Sequence, residues 1–361
     1  MDGMTNANIT TTEEEDALLI HDDGTYPASG HNERKLQAVG DMLREWSTFT
    51  VICGHQLPET IAPLKILNTQ TKAMATQTND EQRLARLIVV APTYYYDTTD
   101  IRYRLGLESC QQAAEHKIQL VLVDASPSHT IRDGLEEAGC GFVMVIPQTS
   151  KGKKGAALRE GIAKALILLK HNDDDDDDCE NGTAVIGFQE LEKVDMIRHW
   201  KSIAGSLLIK SSDIVAVRRD NEMFRNSYPI EQFHAEQFAN MFLDSLANKI
   251  GLPTPIDWTA GPVAFKASVA HRWLSYKGEV WDAQLVPIIE AFIEGAKISS
   301  FDVTYRHPES MKEQEEGNPI FNEKRLHQLN FLSNTVGKRM IEVAAAAAAG
   351  AVKTGVENTN K

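Results

Sequence analysis

LIVVAP, Leu87 to Pro92, is a continuous apolar run that ends on a turn residue. A strand covered on one face alternates apolar with polar, so a run without alternation reads as a strand buried on both faces. The design recurs in IQLVLVDAS (Ile118–Ser126), GFVMVIP (Gly141–Pro147), TAVIGF (Thr183–Phe188) and DIVAV (Asp213–Val217). Between these runs the apolar period changes to that of a helix. In AALREGIAKALILLK, Leu158, Ile162, Ala165 and Leu169 share one face; in LEKVDMIRHWKSIA, Val194, Ile197, Trp200 and Ala204 do the same. Strands alternating with helices predict an α/β fold with a doubly wound, mostly parallel sheet and helical additions. Ligands of such sheets lie beyond the carboxyl ends of the strands, where helix N-termini aim amides at anions. The residues that follow each strand therefore hold the functional information.

Outside this block the chain divides by composition. Residues 1–32 are polar and acidic and read as a disordered tail, and 33–82 as an N-terminal helical and linking segment. Residues 83–310 form the sheet domain, interrupted at 173–182 by an acidic loop. Residues 311–350 are a C-terminal helical segment, with a helix expected from about Glu323 to Ala349, and 351–361 are a tail. Past Asn221, Phe238, Met241, Phe242 and Ile250 are expected to line a helix face before the stop at GLPTP.

The net charge is −14, and the run Asp173–Asp178 supplies six of the negative charges. Like charges in sequence repel and stay solvated, and the featureless run lacks the glycine-punctuated spacing of a calcium loop. So acidic a chain excludes nucleic acid as a partner, although local cations still allow a phosphate-bearing ligand. The four cysteines, Cys53, Cys110, Cys140 and Cys179, have no paired spacing and suggest neither a disulfide framework nor a zinc site. No membrane span and no secretory signal is expected, so the cytoplasm is the expected location. No G-x-G-x-x-G follows a strand, which disfavours a dinucleotide oxidoreductase.

Four strand-end features follow in order: PTYYYD (Pro92–Asp97), Asp124-Ala-Ser126, KGKKGAALREG (Lys151–Gly161) and FQELEK (Phe188–Lys193). Their succession resembles the family 2 glycosyltransferases and their relatives of GT-A fold, over roughly residues 86–308. The resemblance implies an enzyme that takes a sugar from a UDP- or GDP-linked donor to a hydroxyl acceptor. It implies that Pro92, Thr93 and Tyr95 border the base and that Asp124 contacts its edge. Read alone, Asp124 is equally a loop or helix cap, and Tyr94 is expected to pack at the sheet edge.

The glycines of KGKKGAALREG permit a tight turn before a helix, and Lys151, Lys153 and Lys154 place cations where an anion approaches. Lys151, Lys154 and Gly155 are the candidate diphosphate contacts. Glu190 and Glu192 stand where the family carries aspartates that bind a divalent cation. Two hard oxygen ligands suit Mn²⁺ or Mg²⁺; alternatively, the pair loads the N-terminus of the next helix with negative charge.

Later in the chain, Asp282 of GEVWDAQLVPIIEAFIEGAKI matches the second acid of the pair that provides the base in inverting members. It is equally placed to cap a helix whose face is Leu285, Ile289 and Phe292. His307, in VTYRHPE, matches a histidine that serves some members as a third metal ligand, or else bonds a neighbouring carbonyl. Arg218 and Arg219 pair with acids or contact phosphate. Two other classes remain open: a degenerate member that binds a sugar nucleotide or a protein partner, and a sugar nucleotidyltransferase, although PTYYYD is not the glycine-rich signature of the latter.

Overall fold

All five apolar runs form strands. The computed structural model describes residues 86–150, 152–171 and 183–358, which fall in one compact unit, Ile66–Lys361. The expected tail 1–32, the segment 33–82, Lys151, Cys53, Cys179 and the acidic loop 173–182 lie outside the described residues.

The first half of the described chain is β1 (Arg86–Thr93), α1 (Ile101–His116), β2 (Gln119–Asp124), α2 (His129–Ala138), β3 (Val143–Pro147), α3 (Lys154–His171) and β4 (Ala184–Phe188). A 3₁₀ turn, Val194–His199, then leads into α4 (Trp200–Ile209). Next come β5 (Ile214–Arg219), α5 (Asn221–Ser227), α6 (Ile230–Lys249), β6 (Val263–Lys266) and α7 (His271–Ser275). The chain closes with α8 (Asp282–Ile293), β7 (Ile298–Val303), α9 (Glu309–Glu315), α10 (Pro319–Leu332) and α11 (Lys338–Asn358). Among the described residues no helix is long and apolar enough to cross a membrane.

The seven strands form one sheet in the order β3-β2-β1-β4-β6-β5-β7. Strands β1 to β4 are mutually parallel, β6 runs antiparallel between β4 and β5, and β5 is parallel to β7. The chain therefore winds outward from β1 to one edge, returns to β4, and completes the other half with one reversed strand. The registers Thr93↔Asp124 and Asp124↔Pro147 set the carboxyl ends of β1, β2 and β3 side by side. Phe188↔Val263 brings the loop that enters β6 to the end of β4, at this same rim.

Each face of the sheet carries its own core. On one, Ile88, Val90, Ile186 and Phe188 pack with Leu158 and Ile162 of α3 and with Leu243 of α6. On the other, Val89, Ala91 and Val185 pack with Cys110 of α1 and Trp200 of α4. Strands covered on both faces must be apolar throughout, and this is why the runs do not alternate. Leu332, Val336 and Met340 join the first core, so the C-terminal helices complete this domain. The last helix continues beyond Ala349 to Asn358.

Helix α6 departs from expectation. Met241 is exposed, and the buried face carries Gln232, Glu236 and Asn240 beside Phe233, Ala239 and Leu243. The polar residues turn inward because Arg219 is buried at the end of β5. Its Nε and Nη2 donate to Asp257 at 2.7 and 2.8 Å, and its Nη1 to Glu236 at 2.8 Å. The guanidinium also lies 3.6 Å from the Phe224 ring centroid. A buried cation is tolerable only when its charge and hydrogens are matched, and these acids match them. Arg218 pairs with Asp302, so both arginines pair with acids.

Candidate functional site

At the ends of β1 and β2, the Thr93 hydroxyl donates to Asp124 Oδ1 at 2.9 Å, and Ser126 Oγ donates to the same oxygen at 2.6 Å. Asp124 Oδ2 accepts from the Ser126 amide at 3.2 Å and from Arg132 at 3.4 Å. Only 1% of Asp124 is exposed. Both oxygens are spent on the protein, so the carboxylate does not itself present a free edge to a base. It fixes Arg132 and the turn at Ser126, and Ser128, not Asp124, caps α2.

The tyrosines reverse the expected assignment. Tyr95 is wholly buried and packs edge-on against Tyr103, whereas Tyr94 is half-exposed and Tyr96 is 71% exposed. The pleat of β1 continues past its end: Thr93 and Tyr95 point inward, Tyr94 and Tyr96 outward. The Tyr95 ring therefore cannot border a base; only its amide, bonded to Ser126 Oγ at 2.9 Å, shares this corner. Pro92 is half-buried beside Val123 of β2.

Beyond β4, the Lys154 ammonium lies 2.5 Å from Glu190 Oε1, and that of Lys193 lies 3.0 Å from Oε2. Lys193 also donates to the carbonyl of Ala260. Gly261, at φ +89°, lies so close that a Cβ there would stand 2.5 Å from Glu190 Oε2. The carboxylate is thus bracketed by two cations and a glycine backbone. Burial alone would move this carboxyl up, but Lys154 and Lys193 override it and hold Glu190 well below the usual carboxylate range. For Glu192, burial dominates and moves the carboxyl up, with the Glu190 charge adding to it. Against burial, Glu190 holds the Lys193 ammonium up.

The start of α3 is not open. Glu279 Oε2 accepts the Lys153 amide at 2.7 Å, and the Glu279 carbonyl accepts that of Gly155 at 3.0 Å. A side chain at Gly155 would collide with the carbonyl of Gly278. The protein's own carboxylate thus fills the place where a diphosphate was expected against these amides, for the reason that favours an anion there. Arg159 secures the arrangement, donating to the carbonyls of Tyr276 at 3.1 Å and Gly278 at 2.8 Å and to Glu279 at 2.5 Å. Neither Glu279 nor Arg159 stands out in the sequence; the signal available was an acid beside Gly278, opposite a helix entry rich in glycine and lysine.

The same turn carries Asp282, which is the first residue of α8 and not its cap. Its Oδ2 accepts from the Tyr276 hydroxyl at 3.0 Å and its Oδ1 from the Val280 amide at 3.1 Å. Burial, followed by Asp282, raises the Tyr276 phenol, so it stays a donor.

His307 stands apart. Its ring stacks on Tyr228 at 4.3 Å, its Nε2 lies 3.7 Å from Glu315, and its amide bonds Ser227. It lines a cleft of about 580 Å³ with Leu105, Val194, Asp195 and Arg306, whose lining includes none of Asp124, Lys154 or Glu192. Among the described residues no three His, Cys, Asp or Glu side chains gather so as to hold a metal ion. The expected set of Glu190, Glu192 and His307 is therefore corrected. Glu190 is matched by lysines and His307 by a tyrosine and a glutamate, so this arrangement does not fit a divalent cation.

No protein-family model and no curated protein matches the chain. The structural resemblance lies elsewhere. The chain has distant structural likenesses among solved proteins. One is glucosyl-3-phosphoglycerate synthase from Mycobacterium tuberculosis, solved with Mn²⁺, uridine diphosphate and glucosyl-3-phosphoglycerate. It is 12% identical with a TM-score of 0.46, over 78% of this chain and 86% of that one. Another is the mannosyltransferase PcManGT from Pyrobaculum calidifontis, in complex with GDP-Man and Mn²⁺, at 12% identity and a TM-score of 0.38, over 74% and 75% of the two chains. TarS 1–349 from S. aureus, in complex with UDP, is 16% identical with a TM-score of 0.37, over 61% of this chain and 59% of that one.

Proposed function

We propose that this protein is a glycosyltransferase that moves a sugar from a UDP- or GDP-linked donor to an acceptor hydroxyl, in the cytoplasmic setting its composition suggests. One observation carries the reading. Thr93 with Asp124, Lys154 with Glu190, and the turn bearing Asp282 all gather along the carboxyl rim of one sheet, where ligands of such folds sit. In this reading the nucleoside end meets the turn at Ser126 and Arg132, both held by Asp124, and Lys154 meets the diphosphate. Transfer breaks the bond between the anomeric carbon and the phosphate oxygen, which keeps the electron pair. A bond forms from that carbon to the acceptor oxygen, whose proton passes to Asp282. The lysines offset charge on the departing diphosphate.

A binding protein without turnover is the second reading, favoured by the engagement of both Asp282 oxygens within its own turn. A thermal-shift screen of UDP, GDP, ADP, CDP and their sugars tests what the two share. The expected result is a rise of about 5 °C or more with a uridine or guanosine ligand near a hundred times its Kd. No rise with any of them would remove both readings.

A further inference from the structure

We infer that Lys154 and Lys193 do for the donor's diphosphate, in this chain, what a divalent cation would otherwise do. The inference rests on the glycosyltransferase reading and concerns how that site holds its donor.

The two lysines reach Glu190 from different elements, Lys154 from the first turn of α3 and Lys193 from the segment after β4. A carboxylate whose two oxygens each face an ammonium, at 2.5 and 3.0 Å, must give up both partners before it ligates a metal. A dication entering there would also stand against two positive charges. Lys193 is built in: its side chain is only 18% exposed, and its ammonium is fixed on the Ala260 carbonyl. Lys154 lies over the Phe188 ring, 5.2 Å from its centroid. Glu192 adds a carboxylate to the corner, but His307, turned toward Tyr228 and Glu315, does not complete a ligand set. Two ammoniums thus face the single Glu190 carboxylate, at the end of the strand where the leaving diphosphate would lie. Glu190 on this account is the counter-ion that keeps the lysines in place until phosphate oxygens replace it.

Calorimetric titration with UDP and with GDP, in EDTA and then in Mn²⁺ or Mg²⁺, tests this, since it reads binding without turnover. One nucleotide is expected to bind with a Kd that changes by less than about threefold between EDTA and metal. Lys154→Met and Lys193→Met should each weaken that binding about tenfold or more, and Lys154→Arg should restore most of it. Glu190→Gln should bind at least as tightly as the parent, because it frees the lysines. Each variant is first checked for an unchanged circular dichroism spectrum. Binding that needs the metal and is lost in Glu190→Gln would overturn the inference while leaving the glycosyltransferase reading intact. Metal-independent binding unaffected by either lysine substitution would also overturn it. Absence of UDP and GDP binding under every condition would take the underlying reading with it.

Discussion

Arg159 and Glu279 meet at 2.5 Å although 120 residues separate them in the chain, and through this pair α3 holds the turn that carries Asp282. The guanidinium also takes the carbonyls of Tyr276 and Gly278, so one side chain fixes the turn at three points. Arg159→Met is expected to loosen the turn and lower kcat for a nucleotide-sugar donor by about tenfold or more, with KM changing less. Arg159→Lys, which cannot reproduce the fork, should recover only part of this. Steady-state kinetics of the three proteins checks it; equal kcat values would show that the turn holds itself.

Tyr95 places a hydroxyl in the core with no hydrogen-bond partner among the described residues. Burial, ahead of the Glu192 charge, raises its phenol well above the ordinary value. Removing an unmatched buried hydroxyl costs nothing and can gain about 1 kcal/mol. Tyr95→Phe should melt at or above the parent temperature and bind nucleotide unchanged. A lowered melting temperature would show that the hydroxyl has a partner.

The sheet was legible because its strands are buried on both faces, which leaves unalternating runs such as Leu120–Val123. The reversal of β6 was not, since the four residues Val263–Lys266 carry no sign of direction. Asp124, Lys154 and Glu190 were singled out from their strand-end positions, but the side chains that pair with them were not. Asp124 was read as facing a ligand, although Thr93, Ser126 and Arg132 occupy it. Glu236 and Asn240 were not singled out, because hydrophobic periodicity does not register a buried arginine across the sheet. Tyr95 was legible in principle, since counting by twos from β1 already sends it inward.

Acid should expose the buried network. Burial alone raises the Asp257 carboxyl, but Arg219 outweighs it and holds the group at about 2, against about 3.9 in an unfolded chain. A value depressed by folding contributes stability that is complete above the unfolded value and drains as pH falls toward the folded one. Asp257→Asn should therefore cost about 2–3 kcal/mol at pH 7 and progressively less between about pH 4 and pH 2. Urea midpoints across that range measure it. A cost that does not vary with pH would contradict the assignment.

Gly261 combines a left-handed φ of +89° with its approach to Glu190. Gly261→Ala should destabilise the fold by about 1–3 kcal/mol and push Glu190 off Lys193. Denaturant unfolding reads the first effect, and carboxyl resonances in ¹³C-glutamate-labelled protein read the second as a Glu190 titration moved back toward the ordinary range. An unperturbed Glu190 would mean that the loop yields instead.

Release of nucleoside diphosphate from UDP- and GDP-sugars, with and without a panel of hydroxyl acceptors, is the most direct measure of the proposed activity. The wild-type chain should turn over one donor class, slowly by hydrolysis and faster with a suitable acceptor. Asp282→Asn should lower that rate about a hundredfold or more while donor affinity stays within about threefold. Turnover of no donor by the wild-type chain, or an Asp282→Asn protein as fast as its parent, would contradict the account.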